Sequence, residues 1–135
     1  MREHPRVPES ILSELRLTCL DLPEVTEEAA WLGTRWVVAK KNFAHVLMID
    51  HGYPPAYARA AHHDGPACVL TFRSALATAE VPRFARLPFF RPPWFANIVG
   101  VFLDENSDFQ EVSELLVTSY CVVAPKRLAA QVERT

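Results

Sequence analysis

Apolar and polar residues change period several times along the chain, and each change marks an element. Ile11, Leu12, Leu15, Cys19 and Leu20 recur at helical spacing, with Glu9, Ser13, Glu14 and Arg16 on the opposite side. This predicts an amphipathic helix of about 13 residues. It is entered through Pro8, whose missing N–H costs nothing in a first turn, and it ends before Pro23, because a residue preceding proline avoids the helical region. The period then shortens. Thr34 to Ala39 and Phe43 to Asp50 are rich in β-branched and aromatic residues, with Lys40, Lys41 and Asn42 as a polar turn between them. A β-hairpin is predicted. Both strands are apolar on more than one face, so at least one is central in its sheet.

Residues 51–66 are irregular, interrupted by Gly52, Pro54 and Pro55. A short helix from Pro55 to His63, closed by Asp64 and Gly65, is predicted there. Cys68 to Arg73 reads as a strand, and Ser74 as the cap of a short helix through Glu80 that Pro82 ends. From Pro82 to Trp94, four prolines and three arginines are interleaved with Phe84, Phe89, Phe90 and Trp94. Such a segment is neither a central strand nor a helix interior, and an ordered loop lying over the sheet is expected. Phe95 to Leu103 is the clearest strand. Asp108 and Glu111 have capping-box spacing, and Val112, Leu115, Leu116, Ser119, Tyr120 and Val123 form a helical stripe behind them. Pro125 breaks that helix, and Leu128 and Val132 continue a short amphipathic tail. This order predicts an α+β two-layer sandwich in one domain, residues 1–135. Its antiparallel sheet of about five strands would be covered on one face by the N- and C-terminal helices.

Composition narrows function mainly by exclusion. The 135 residues include 11 Pro and 4 Gly, the reverse of ordinary usage. The glycines lie too far apart to build a GxGxxG or a Walker loop, which excludes both phosphate-binding fingerprints. With 50% hydrophobic and 22% charged residues, a disordered chain is excluded. No apolar run approaches the roughly 20 residues of a membrane helix, so no membrane partner is expected. The opening MREHPRVPES has no apolar region of the signal-peptide kind. Cys19, Cys68 and Cys121 are odd in number and form no CxxC, which predicts reduced thiols and a cytoplasmic setting.

Net charge is −2, which argues against a general attraction to nucleic acid. The charges are unevenly placed, however. Residues 35–94 hold eight basic side chains against three acidic, whereas both flanking segments are acidic. Lys40, Lys41, Arg83, Arg86 and Arg91 are therefore the candidate phosphate-contacting set. The aromatic residues of the Arg83–Phe95 stretch admit three roles: plugging the core beneath solvated arginines, forming a protein- or small-molecule-binding pocket with Trp36, Phe90 and Trp94, or stacking on bases. His51, His62, His63, Asp64 and Cys68 lack the fixed short spacing that zinc ligation uses, and no metal site is assigned. No GxSxG or other activating signature surrounds Ser119, Tyr120, His45 or Asp50. The pairs Glu27–Glu28 and Asp104–Glu105 fall where turns or helix starts are expected. No catalytic residue and no cofactor are assigned, and the chain reads as a non-catalytic binding domain.

Three patches, taken together, resemble the MmcQ/YjbR family. They are Leu20–Asp21–Leu22–Pro23 with Val25–Thr26–Glu27–Glu28, then Trp36–Val37–Val38 running into Lys41–Asn42–Phe43–Ala44, and finally Trp94 with Ser119–Tyr120–Cys121–Val122–Val123. The resemblance spans nearly the whole chain. It implies a frataxin-like sandwich of double-wing type and DNA as partner, with no catalytic residues and no cofactor. The chain differs from the family's pattern at Lys40, where glycine is usual, at Pro92–Pro93 before Trp94, and over residues 51–66. On this reading the central basic block contacts DNA. The alternative is a protein or small molecule held in an aromatic pocket around Trp94. Monomer and homodimer both fit, the second through an uncovered edge strand.

Overall fold

The computed structural model describes residues 3–75 and 82–133. Its elements run α1 (Glu9–Cys19), β1 (Thr26–Ala29), β2 (Thr34–Val38), β3 (Lys41–Ile49), α2 (Pro55–Ala61), β4 (Ala67–Arg73), a 3-10 turn (Pro82–Ala85), β5 (Phe89–Phe90), β6 (Ile98–Leu103), α3 (Phe109–Val123) and α4 (Lys126–Glu133). The six strands pair antiparallel in the order β1-β2-β3-β4-β6-β5. The predicted α+β sandwich is thus the observed one. The helix expected between Ser74 and Glu80 falls mostly outside the described residues; Ser74 itself is buried beside β6, its amide donating to Asn97 O at 2.8 Å.

The helix face holds the larger core. Trp36, Ala44, Val46, Leu70, Phe72, Val99 and Val101 point to it from the sheet, and Leu12, Leu15, Leu116 and Tyr120 meet them from α1 and α3. Asp108 caps α3 by accepting the amide protons of Gln110 and Glu111, each at 3.1 Å. Glu111 does not return the bond as a capping box would; it faces Arg83 at 4.0 Å instead.

Polar groups tie this layer together. Where β2 and β3 pair, Trp36 faces Ala44 but Val37 faces Asn42, so Phe43 is an extra residue in β3. The bulge turns Phe43 toward the helices alongside Ala44, and its ring meets Tyr120 edge-on at 5.5 Å. The Phe43 carbonyl takes a hydrogen-bond donor from the helix layer. The fully buried Ser119 supplies one, donating to Phe43 O at 2.6 Å while accepting the Arg73 amide at 2.7 Å. Tyr120 donates to Pro23 O at 2.7 Å, and Trp36 Nε1 to Glu27 Oε1 at 2.9 Å. Ser119 and Tyr120, from the last of the three resembling patches, thus tie α3 to the sheet and to the chain before β1.

The other face is covered more thinly, by α2 and the proline-rich segment. Leu47, Ile49, Val69 and Phe90 pack there against Ala58, Ala60 and Ala61, with Tyr57, Trp94 and Phe102 at the margin. Phe90 lies flat over Gly100, its partner in the β5–β6 ladder; a Cβ at position 100 would enter its ring.

Several boundaries differ from the sequence reading. Glu27 and Glu28 sit in the edge strand β1 rather than in a turn, held by Arg16 and Arg35. A strand reading TEEA has no apolar alternation to reveal it. The hairpin turn is tighter than Lys40–Asn42: Ala39 and Lys40 alone form it, at φ 50° and 66°. Both lie in the left-handed region that two-residue hairpin turns require. His62, at φ 53°, closes α2 in place of Gly65. The proline-rich loop contributes the two-residue edge strand β5, whose shortness and edge position accommodate the flanking prolines.

Candidate functional site

A cavity of about 100 Å³ opens in the thinly covered face, walled by Trp94, Ile98, Phe43, Phe72, Tyr57, His45, Thr71, Asn42 and Arg73. The register explains the grouping. His45 in β3 is paired with Thr71 in β4, and Arg73 two residues on is paired with Ile98 in β6. All project from the same face, because side chains two apart share a side. Trp94 arrives from the loop before β6 and meets Tyr57 of α2, with ring centroids 4.7 Å apart.

The polar floor of this cavity is internally satisfied. His45 Nε2 lies 2.7 Å from Leu32 O, and a carbonyl only accepts, so Nε2 carries the proton. Nδ1 then accepts from the Tyr57 hydroxyl at 3.3 Å. Burial pushes the His45 pKa below its ordinary value, opposed by the bond to Leu32 and helped by Arg35. The imidazole is therefore neutral at neutral pH. Burial also raises the Tyr57 pKa, against a hydrogen bond from Thr71. This site consists of a neutral histidine, a protonated phenol, a hydroxyl, a carboxamide and one guanidinium, bordered by the rings of Tyr57 and Trp94.

Only part of the predicted pocket meets here. Trp36 is fully buried in the helix layer, on the opposite side of the sheet from Trp94. Phe90 lines a separate, larger and more open hollow of about 990 Å³ with Ala60, Ala61, Leu87 and Phe102. Trp36 was grouped with Trp94 on aromatic character alone, and its place in β2 points it the other way. His45, Tyr57, Thr71 and Arg73 did not enter the sequence assignment. A lone histidine within the apolar run FAHVLMID was the signal that could have found them.

The basic residues are dispersed. Lys41 borders a hollow with Val122 near the end of α3, whereas Arg83 faces Glu111 in its first turn. Those helix positions are about 16 Å apart. Arg83 also lies over the rings of Phe84 and Phe89, and Arg91 donates to Ala96 O. Lys40 and Lys41 are exposed at the hairpin tip, and Arg86 is exposed beyond the 3-10 turn. Lys40 and Lys41 at the hairpin tip and Arg83 beside the start of α3 thus sit at separate points of the surface. Phe84, Phe89 and Phe90 are buried, so the Arg–aromatic stretch plugs the two cores while its arginines stay at the surface.

Among the described residues, no three His, Cys, Asp or Glu side chains converge as metal ligands, and no helix is long and apolar enough to cross a membrane. Cys19 and Cys68 are buried and Cys121 is half-buried, and among the described residues none of the three is in a disulfide. Burial pushes the Cys68 thiol up to about 12 and the Cys19 thiol higher still. Neither is a nucleophile at neutral pH.

No family model matches the chain, and no curated protein matches it in sequence. Solved structures do match. A crystal structure of a protein from Pseudomonas syringae superposes with a TM-score of 0.61, covering 84% of this chain and 96% of that one at 10% identity. At that identity the likeness is one of fold.

Proposed function

We propose that this protein is a non-catalytic binding domain whose ligand is a small molecule held beside Trp94. One observation carries the reading: the cavity combines an aromatic wall with a few convergent polar groups, on the sheet face that the long helices leave open. Ligand sites have that make-up, whereas a packed core has no such space. The groups present favour binding over chemistry. The imidazole is turned toward a backbone carbonyl and a phenol, and no activated nucleophile stands next to it. A cytoplasmic setting belongs to the same proposal, supported by three cysteines that form no disulfide among the described residues.

A fragment screen read by thermal shift tests it. Compounds that raise the melting temperature of the native protein should lose that effect in Trp94→Ala and keep it in the doubly substituted hairpin tip, Lys40→Ser with Lys41→Ser. Hits indifferent to Trp94 would count against the cavity. DNA, the partner that the MmcQ/YjbR resemblance implies, is the second reading, favoured by two exposed lysines on a tight hairpin tip. A titration with duplex DNA at low and high salt decides it: phosphate contact requires affinity to fall as salt rises and to drop in the hairpin-tip variant.

A further inference from the structure

Arg16, Arg35, Arg83 and Arg127 each face a glutamate. Arg73, at the wall of the Trp94 cavity, faces no acidic side chain among the described residues. One of its N–H groups goes to Asn97 Oδ1 at 3.0 Å, and its guanidinium lies over the Phe95 ring at 5.3 Å. Those two contacts fix the plane of a fork that has five N–H donors. The adjoining hollow shares Arg73 and Asn42 with the cavity and adds Lys41 and Asn97. Among the described residues, neither hollow has an acidic residue in its wall. The charged side chains described in the two walls, Arg73 and Lys41, are both basic, although the chain as a whole carries a net charge of −2.

We infer that the cavity takes a small organic carboxylate, with its apolar body against Trp94 and Ile98 and its carboxylate on the Arg73 guanidinium. The inference rests on the binding reading above and adds the charge and size of the ligand. On the floor, the two ring nitrogens of His45 are already matched to Leu32 and Tyr57 and the Thr71 hydroxyl donates to His45 O, which leaves Arg73 as the charged donor for a ligand. The part of the ligand that enters is thus apolar, and the part that meets Arg73 carries the charge. A carboxylate matches the guanidinium fork in a bidentate plane. A phosphate site is typically built on glycine-rich backbone or a cluster of cations, and no glycine lines this cavity. Size sets the other bound. The cavity, at about 100 Å³, is smaller than the roughly 150 Å³ engineered cavity that accepts benzene, so one ring or one branched acyl chain fills it.

The test compares acids with their uncharged isosteres on the native protein. Benzoate and isovalerate, benzamide and isovaleramide, and benzylamine are titrated at neutral pH and low salt, read by ligand-observed NMR and by melting temperature. At least one acid should bind about tenfold tighter than its amide, the difference expected for a hydrogen-bonded charge, and benzylamine should not bind. Arg73→Gln should bring the acid down to the level of its amide, and Arg73→Lys should restore part of the preference. Equal binding of acid and amide overturns the carboxylate and leaves the pocket standing. Silence from acids and amides alike overturns both. A preference for the acid that survives in Arg73→Gln places the anion elsewhere and also overturns the inference. The comparison on the native protein decides the first two outcomes even if an Arg73 variant fails to fold.

Discussion

Ser119 and His45 are both polar, both buried and both bonded to a backbone carbonyl, yet they lie on opposite faces of one sheet. Around Ser119 everything is filled. Its hydroxyl joins the β3 bulge to the end of β4, and Tyr120 and Trp36 add ties to Pro23 and Glu27. Around His45 a space remains, and the neighbouring groups border it without closing it. The difference follows from what covers each face. Long helices bring large side chains at regular spacing, so the inner layer packs to native density. On the outer face α2 is short and alanine-rich, and the rest of the cover is a proline-stiffened segment that cannot adjust to fill gaps. A polar side chain on the first face is a structural tie. On the second it borders a cavity, the one we propose as the binding site.

Breaking the inner face should have the largest effect. Trp36→Ala should cost about 4 kcal/mol in urea unfolding, through lost burial and the cavity it leaves. Ser119→Ala should cost about 2 kcal/mol, because it strands a buried amide and a buried carbonyl together. Trp94→Ala should cost less than about 1 kcal/mol, since that ring is only partly buried and borders an existing space. Equal costs for the two tryptophans would make the outer aromatics ordinary core and erase the contrast.

Acid should separate the faces next. His45 is neutral when folded and has a pKa below the ordinary 6.5, so the unfolded chain binds the proton more readily. The stability it confers is present above pH 6.5 and is lost as pH falls below that value. Glu27 is held below the ordinary 4.5, first by the Arg16 hydrogen bonds and also by Trp36, against desolvation. Its contribution is present above pH 4.5 and is lost only in stronger acid. Melting temperature against pH should therefore fall in two stages. His45→Gln should flatten the upper stage and Glu27→Gln the lower; a single variant removing both would contradict the assignment.

The smallest effect belongs to the hairpin tip. Lys40 holds φ 66° where the resembled family usually has glycine. Lys40→Gly should relieve the left-handed strain, partly offset by backbone entropy, and stabilise the protein by up to about 1 kcal/mol in the same urea assay. A loss of stability would mean that the lysine side chain contributes a contact.

These contrasts also show what the sequence could reveal. The inner layer was legible because Ile11, Leu12, Leu15 and Cys19, and later Val112, Leu116 and Tyr120, keep a helical period, and because β3, β4 and β6 are long apolar runs. β1 and β5 were hidden. One is acidic and exposed at an edge, and the other is two residues among prolines. The candidate site was mostly illegible. Trp94 was singled out, but Tyr57, His45, Thr71 and Arg73 come from α2, β3 and β4, and only the register of the sheet brings them to one side. The places of the basic residues were no more legible. Neighbours along the chain, from Arg83 to Arg91, were distributed over different parts of the surface by a turn and a short strand.

The most direct test is a methyl NMR map of the protein saturated with benzoate or isovalerate. Thr71 and Ile98 line the cavity, whereas Val46 and Leu70 leave the same sheet toward the helices. The account predicts that the Thr71 and Ile98 methyl signals shift while those of Val46 and Leu70 stay in place. Shifts of Val46 and Leu70 with Thr71 and Ile98 unmoved would put the ligand on the helix side and contradict it.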